Sequence, residues 1–212
     1  MKMYNSALSP YAARCRVQIY AKGLDVELID YPTGVTPEEL ARLSPIAKVP
    51  VLQNGDLIIP ESQVICEYLE EACEGPSLRP DDPAALARVR LLARITDLYI
   101  MAPLGQLFGQ INPAGRDPHI VDKGLTDLTK GLEWLNAYLD GVKYAVGGSL
   151  SLADCALMPT LFFVTQVGPM FGRADLISSF GKIHGYYEAS LTDPHIARVV
   201  GEVADALKKM QS

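Results

Sequence analysis

Apolar positions change period several times in the first third of the chain. "KMYN" (Lys2–Asn5) is a short strand. From Pro10 to Lys22 apolar residues recur at helical spacing, and Gly23 is a C-terminal stop. "DVELID" alternates like a half-buried strand, and "TPEELARLSP" predicts a short helix broken before Pro45. "VPVLQNGDLIIP" gives two strands around Asn54-Gly55, a turn sequence whose residues tolerate positive φ. "ESQVICEYLEEACEG" predicts a helix with Val64, Ile65, Tyr68, Leu69 and Ala72 on its apolar side and Gly75 at its end. The order βαβαββα implies a mixed sheet flanked by helices, a first domain over residues 1–75.

The texture then changes. "EGPSLRPDDP" is rich in proline, glycine and charge, which places a linker at 76–83. Helical patterns follow over 84–110, 120–139, 152–166, 176–189 and 194–209, with no strand between them. Residues 84–212 therefore read as an all-α domain, a bundle of amphipathic helices. In "SLSLADCALMPTLFF", Ser151 and Asp154 have the spacing of a helix cap before an apolar run, which reads as a folding device for a buried helix.

Composition narrows the classes. Of 212 residues, 49% are hydrophobic, enough for a real core, so disorder is excluded. The formal charge of −6, without basic runs, argues against nucleic acid and anionic membranes as partners. No apolar run approaches the ~20 residues that span a bilayer. "MKMYNSALSP" lacks an export-type apolar segment, so a soluble, cytoplasmic protein is expected. Cys15, Cys66, Cys73 and Cys155 form no CxxC pair and have no zinc-like spacing with His119, His184 or His195. No metal site is expected, and Cys15, Cys66 and Cys155, in apolar or helical contexts, read as small buried hydrophobes.

Three junctions carry possible chemistry. Ser9 precedes Pro10 at the start of the first helix, where it caps the helix. The same site favours an anion, and a hydroxyl there can donate to a thiolate. Lowering a thiol pKa from ~8.5 by ~2 units corresponds to ~2.7 kcal/mol of anion stabilisation. Val49-Pro50 opens an apolar strand at a residue without an N–H, which raises a cis bond beside the trans default. A cis bond would let Val49 pair its backbone with an extended peptide. Glu61-Ser62 starts the third helix, whose free N–H groups can hold a carboxylate while Glu61 accepts from an ammonium. The α-amino acid end of a ligand satisfies both.

"SPYAARCR", "KVPVL", "ESQVICEYLEE" and "SLADC", in that order and with a proline-rich linker among them, resemble the cytosolic glutathione transferases over essentially the whole chain. The resemblance implies a thioredoxin-like N-terminal domain followed by an all-α C-terminal domain. It implies that Pro50 is cis, that Val49 pairs with the cysteinyl backbone of glutathione, that Glu61 and Ser62 hold its γ-glutamyl end, and that Lys48 meets its glycine carboxylate. Ser9 stands where serine-type members keep their activating hydroxyl and redox-active members a cysteine, so thiol–disulfide exchange lacks its nucleophile there. Tyr4 on the first strand and Ser6 in the following loop are rival sulfur contacts.

The resemblance further implies glutathione as co-substrate, no metal, a homodimer, and a small hydrophobic electrophile, with an aromatic one favoured. Tyr11, Tyr99, Met101 and Phe108 are candidates to meet it, beside Leu104 on the same long helix. The texture of "ESQVICEYLEE" and "SLRPDDP" is similar to bacterial members, including some that cleave aryl ethers or dehalogenate aromatics. The expected activity is glutathione transfer. A glutathione-dependent lyase, isomerase or dehalogenase and a non-catalytic binding protein of the same fold are the alternatives.

Overall fold

The computed structural model describes residues 1–211. They form two compact units, one of Met1–Leu78 together with the last helix, the other of Arg79–Asp193.

In the first unit, β1 (Lys2–Asn5), β2 (Glu27–Asp30), β3 (Val51–Asn54) and β4 (Leu57–Pro60) make one sheet in the order β2-β1-β3-β4. β1 runs parallel to β2 and antiparallel to β3, and β3 runs antiparallel to β4. The parallel β1–β2 pair requires a crossover, which α1 (Pro10–Lys22) supplies. Helix α1 keeps the expected bounds, with Gly23 in the left-handed conformation at φ 64° closing it. Helix α2 (Pro37–Leu43) is capped reciprocally by Thr36 and Glu39. Strand alternation sends Tyr4 and Val51 to one face, where they pack with Val35 and Leu40 of the α2 side. Met3 and Leu52, paired and fully buried, face the other way.

Several expectations move by a few residues. Leu57 pairs with Asn54, so the hairpin turn is Gly55-Asp56, with Gly55 alone at positive φ. Helix α3 (Ser62–Ala72) buries Ile65, Cys66 and Leu69, whereas Val64 is exposed. α3 stops before Gly75. That glycine serves another need: a Cβ there would come within 2.8 Å of the Lys22 carbonyl. Part of the expected linker belongs to the first unit, because Lys22 donates to Pro76 O at 3.0 Å and Glu70 accepts from the Leu78 N–H at 3.1 Å.

The regular elements of the second unit are all helical. The long helix expected over 84–110 is present as α4 (Pro83–Ile95) and α5 (Ala102–Phe108), joined by a wider π-type turn over Thr96–Met101. The ring of Pro103 follows this turn and cannot donate a helical hydrogen bond. Helix α6 (Pro118–Tyr138) crosses here, and Gly131 lies so close to the Tyr99 carbonyl that no Cβ fits between them. Helix α7 (Leu152–Val167) is apolar nearly all round and is buried along almost its whole length. Its start is the expected folding device: Asp154 accepts from the Ser151 N–H and hydroxyl (both 2.8 Å), the Ala145 N–H (2.7 Å) and the Tyr186 hydroxyl (2.8 Å). Helix α8 is shorter than expected (Gly181–Ser190). The final helix, α9 (Pro194–Gln211), reads as part of the second domain by its sequence pattern, but packs against α1 in the first unit. Its link to the first unit runs through Glu202, bonded to Arg16 and Tyr20.

Candidate glutathione site

Sheet register brings the three chemical junctions to one end of the sheet. Tyr4 pairs with Val51, and Val51 pairs with Pro60. The chain leaving β1 toward Ser9, the chain entering β3 from Val49-Pro50 and the chain leaving β4 into Glu61-Ser62 therefore all lie at that end. The helices that start there are neighbours. Cys15 Sγ on α1 is 3.6 Å from the Ser62 carbonyl at the start of α3, and Arg14 Nη1 donates to Gln63 Oε1 at 3.3 Å. Two helix N-termini thus converge on the sheet end that carries the candidate residues, an arrangement suited to anionic groups.

Ser9 is the N-cap of α1 (φ −84°, ψ 118°), and its Oγ accepts from the Ala12 N–H at 3.1 Å. The cap uses a lone pair and leaves the hydroxyl proton to donate. The turn before it is closed by the Ser9 N–H on the Ser6 carbonyl at 3.0 Å. Tyr11 is 38% exposed and lies 5.8 Å, ring centroid to carbon, from the buried Arg14 guanidinium. The Val49–Pro50 bond is cis, as the resemblance implied; Tyr31–Pro32 is a second cis bond that no sequence signal marked. Lys48 is exposed beside Ala47, which adopts φ 51°. Glu61 has φ 72° and ψ 111°, a conformation costly for a residue with a Cβ. Its side chain caps nothing, so the glutamate does not stand there to close the helix. Ser62 follows, buried.

Tyr4 points elsewhere. It packs among Val35, Leu40 and Val51, and its hydroxyl donates to Gln53 Oε1 at 2.8 Å, toward the opposite end of the strand pair. The candidates on the second unit are scattered. Met101 is 3% exposed in the helical core, Tyr99 stands at the surface with its ring 4.8 Å from that of Trp134, and Phe108 is half-buried against Phe163 at 5.6 Å.

The structure also brings in residues that the sequence reading passed over. Arg14 and Arg16 are 2% and 3% exposed on α1. Two arginines inside a helix with so many small apolar residues were the available signal. Among the described residues, no group of three or more His, Cys, Asp or Glu is placed to hold a metal, and no helix is long and apolar enough to cross a membrane.

Residues 3–77 match the family model described as glutathione S-transferase, N-terminal domain, and residues 118–189 match the C-terminal domain model. Glutathione S-transferase 1 of Zea mays is 33% identical over 171 residues, spanning 73% of this chain and 76% of the relative. The chain belongs to the glutathione S-transferase family. A glutathione S-transferase of Pseudomonas putida is 28% identical over 203 residues, spanning 95% and 92% of the two chains. Among solved structures, maize glutathione S-transferase I in complex with an atrazine glutathione conjugate superposes with a TM-score of 0.78 at 25% identity, covering 96% of this chain and 97% of that one. The fold is the family's: a thioredoxin-like domain followed by a helical one.

Proposed function

We propose that this chain is a serine-type glutathione transferase that ionises the glutathione thiol at Ser9 and delivers the sulfur to a hydrophobic, aromatic electrophile. The observation that carries the reading is the meeting, at one sheet end, of a capping hydroxyl at a helix N-terminus (Ser9) and a non-capping glutamate at another (Glu61). That pair matches the two polar ends of the cysteinyl–γ-glutamyl unit.

In this reading Glu61 accepts from the α-ammonium and the N-terminal N–H groups of α3 beside Ser62 take the α-carboxylate. The Val49 backbone pairs with the cysteinyl peptide, and Lys48 meets the glycine carboxylate. With the backbone so held, the sulfur lies at the start of α1. The Ser9 hydroxyl donates to it, the helix dipole favours the anion, and the thiol proton leaves to water. The thiolate forms a carbon–sulfur bond with the electrophile, and the leaving group departs with its electron pair. Ser9 forms no covalent intermediate. The gain in rate comes from thiolate population and positioning. Tyr11, 38% exposed at the helix start, is the first-unit side chain that this reading turns to the electrophile. The maize neighbour's bound conjugate supports an aromatic acceptor for this chain. A cytoplasmic homodimer, usual for the family, completes the proposal.

The test is calorimetric titration with glutathione at two pH values, on wild type and Ser9→Ala, followed by a panel of aryl halides and aryl ethers. Binding with proton release that moves to higher pH in Ser9→Ala supports the reading. Release of halide or phenol without accumulating conjugate turns it to a lyase or dehalogenase. No binding at several millimolar glutathione overturns it.

A further inference from the structure

Arg16 sits midway along α1, 3% exposed, and its guanidinium forks. Nη1 donates to Glu202 Oε2 on α9 at 3.0 Å, and Nη2 donates to the Ala7 carbonyl at 3.1 Å. Ala7 lies inside the turn closed by the Ser9 N–H on Ser6, two residues before the candidate thiol-activating hydroxyl. One planar cation thus ties the turn that presents Ser9 to the last helix.

Glu202 is itself held from two sides. It accepts from the Tyr20 hydroxyl at 3.1 and 3.4 Å and from Arg198 Nε at 3.1 Å. Arg198 in turn lies over the Tyr20 ring, 3.6 Å from its centroid. Burial disfavours the charged form of Arg16 and lowers its pKa; Glu202, Tyr20, Asp30 and Cys15 face it and oppose that shift, Glu202 most strongly. A guanidinium so buried keeps its seat only while its carboxylate partner is present. Anchoring α9 to α1 needs only the Glu202 arm of the fork. The other arm reaches a loop carbonyl next to the site, and a fork of fixed angle transmits the position of one acceptor to the other.

We propose that Arg16, seated by Glu202, is a positioning residue that holds the Ser6–Ser9 turn so that the Ser9 hydroxyl stays aimed at the sulfur. The proposal rests on the reading of Ser9 as the thiol-activating group. The fork touches none of Val49, Glu61 or Ser62. Loosening it is therefore expected to leave glutathione affinity in place and spoil only the thiolate.

The experiment uses the full chain carrying Glu202→Gln, Arg16→Lys and Arg16→Ala, each checked for folding by thermal melting. Amide hydrogen exchange of the free protein is expected to quicken several-fold at Ser9 and Ala12 in Glu202→Gln while the amides of Met3 and Leu52 stay as in wild type. In the same variant the bound glutathione thiol, followed by its ultraviolet thiolate absorbance, is expected to titrate at higher pH. The turnover number should fall about five- to tenfold, with KM for glutathione within twofold. Arg16→Lys should recover part of what Arg16→Ala loses, and adding Glu202→Gln to Arg16→Ala should cost little more, since the two act as a unit. Wild-type exchange at Ser9 and Ala12 in a folded Glu202→Gln, or an unmoved thiol titration in it, overturns the positioning role while leaving glutathione transfer intact. If wild type itself fails to ionise glutathione, the functional reading fails. Faster exchange at Ser9 and Ala12 in the variant would still support the hold of the fork on the turn.

Discussion

The Tyr4 hydroxyl donates to Gln53 Oε1 at 2.8 Å, on the rung of the sheet farther from Ser9. A tyrosine committed to its neighbouring strand is not aimed at a sulfur held at the start of α1. Tyr4→Phe is therefore expected to keep kcat/KM within about twofold of wild type. Ser9→Ala should lose on the order of 10²-fold, the usual cost of removing one donor to a developing anion. Steady-state rates with an aryl halide at saturating electrophile check both, and the opposite ranking would return the role to Tyr4.

Glu61 separates strain from binding. Its φ of 72° is costly with any Cβ and free for glycine. Glu61→Gly is expected to leave the protein as stable as wild type or more stable by about 1 kcal/mol, because the strain is relieved. The same change should raise KM for glutathione by about tenfold or more through loss of the ammonium partner. Thermal melts and saturation curves on one preparation read both effects. A variant that melts lower than wild type, with normal KM, would mean that the glutamate is structural.

Lys22 and Glu70 form a nearly fully buried ion pair at 3.4 Å, with 2% and 1% of their side chains exposed. Further bonds hold both partners: Glu70 also accepts from Gln18 at 2.8 Å and from the Leu78 N–H, and Lys22 donates to Pro76 O. Removing one partner strands the other in the interior. Glu70→Ala is expected to cost about 3–5 kcal/mol, and the joint change Lys22→Met with Glu70→Leu considerably less. Urea unfolding curves of the three proteins measure the difference. A single variant as stable as the double one would show that the pair is not buried in solution.

The thiols should label unevenly. Cys15, Cys66 and Cys155 are buried, and Cys73 is partly exposed. The hydrogen bond from Cys66 to Cys15, 3.9 Å between sulfurs, and burial itself push the Cys66 thiol well up, so it stays protonated. One rapid equivalent of alkylation, at Cys73, is expected in the native protein at pH 8, and four after unfolding. Mass spectrometry of the labelled peptides decides it, and early modification of Cys15 or Cys66 would contradict this picture.

The chain order alone determined the elements whose ends carry local chemistry. Ser9-Pro10 and Gly23 bound α1, Thr36 and Glu39 cap α2, and the apolar run after Ser151 makes a buried helix. Each is decided by neighbours within about one turn, so each is visible in a short window. The candidate residues Ser9, Val49, Pro50, Glu61 and Ser62 were legible for the same reason: each stands at the start of an element.

Only the tertiary structure decided the rest. Register between β1, β3 and β4 gathers those starts at one sheet end and turns Tyr4 away from it. The wide turn at Thr96–Met101 and the close approach of Gly131 to Tyr99 arise between two helices, where no window along one of them records the other. Helix α9 has an ordinary amphipathic pattern. Its place beside α1 depends on buried Arg16 and partly exposed Glu202, 186 residues apart, meeting as an ion pair. Periodicity tells which face of a helix will be buried. What that face is buried against is settled by contacts between residues far apart in the chain.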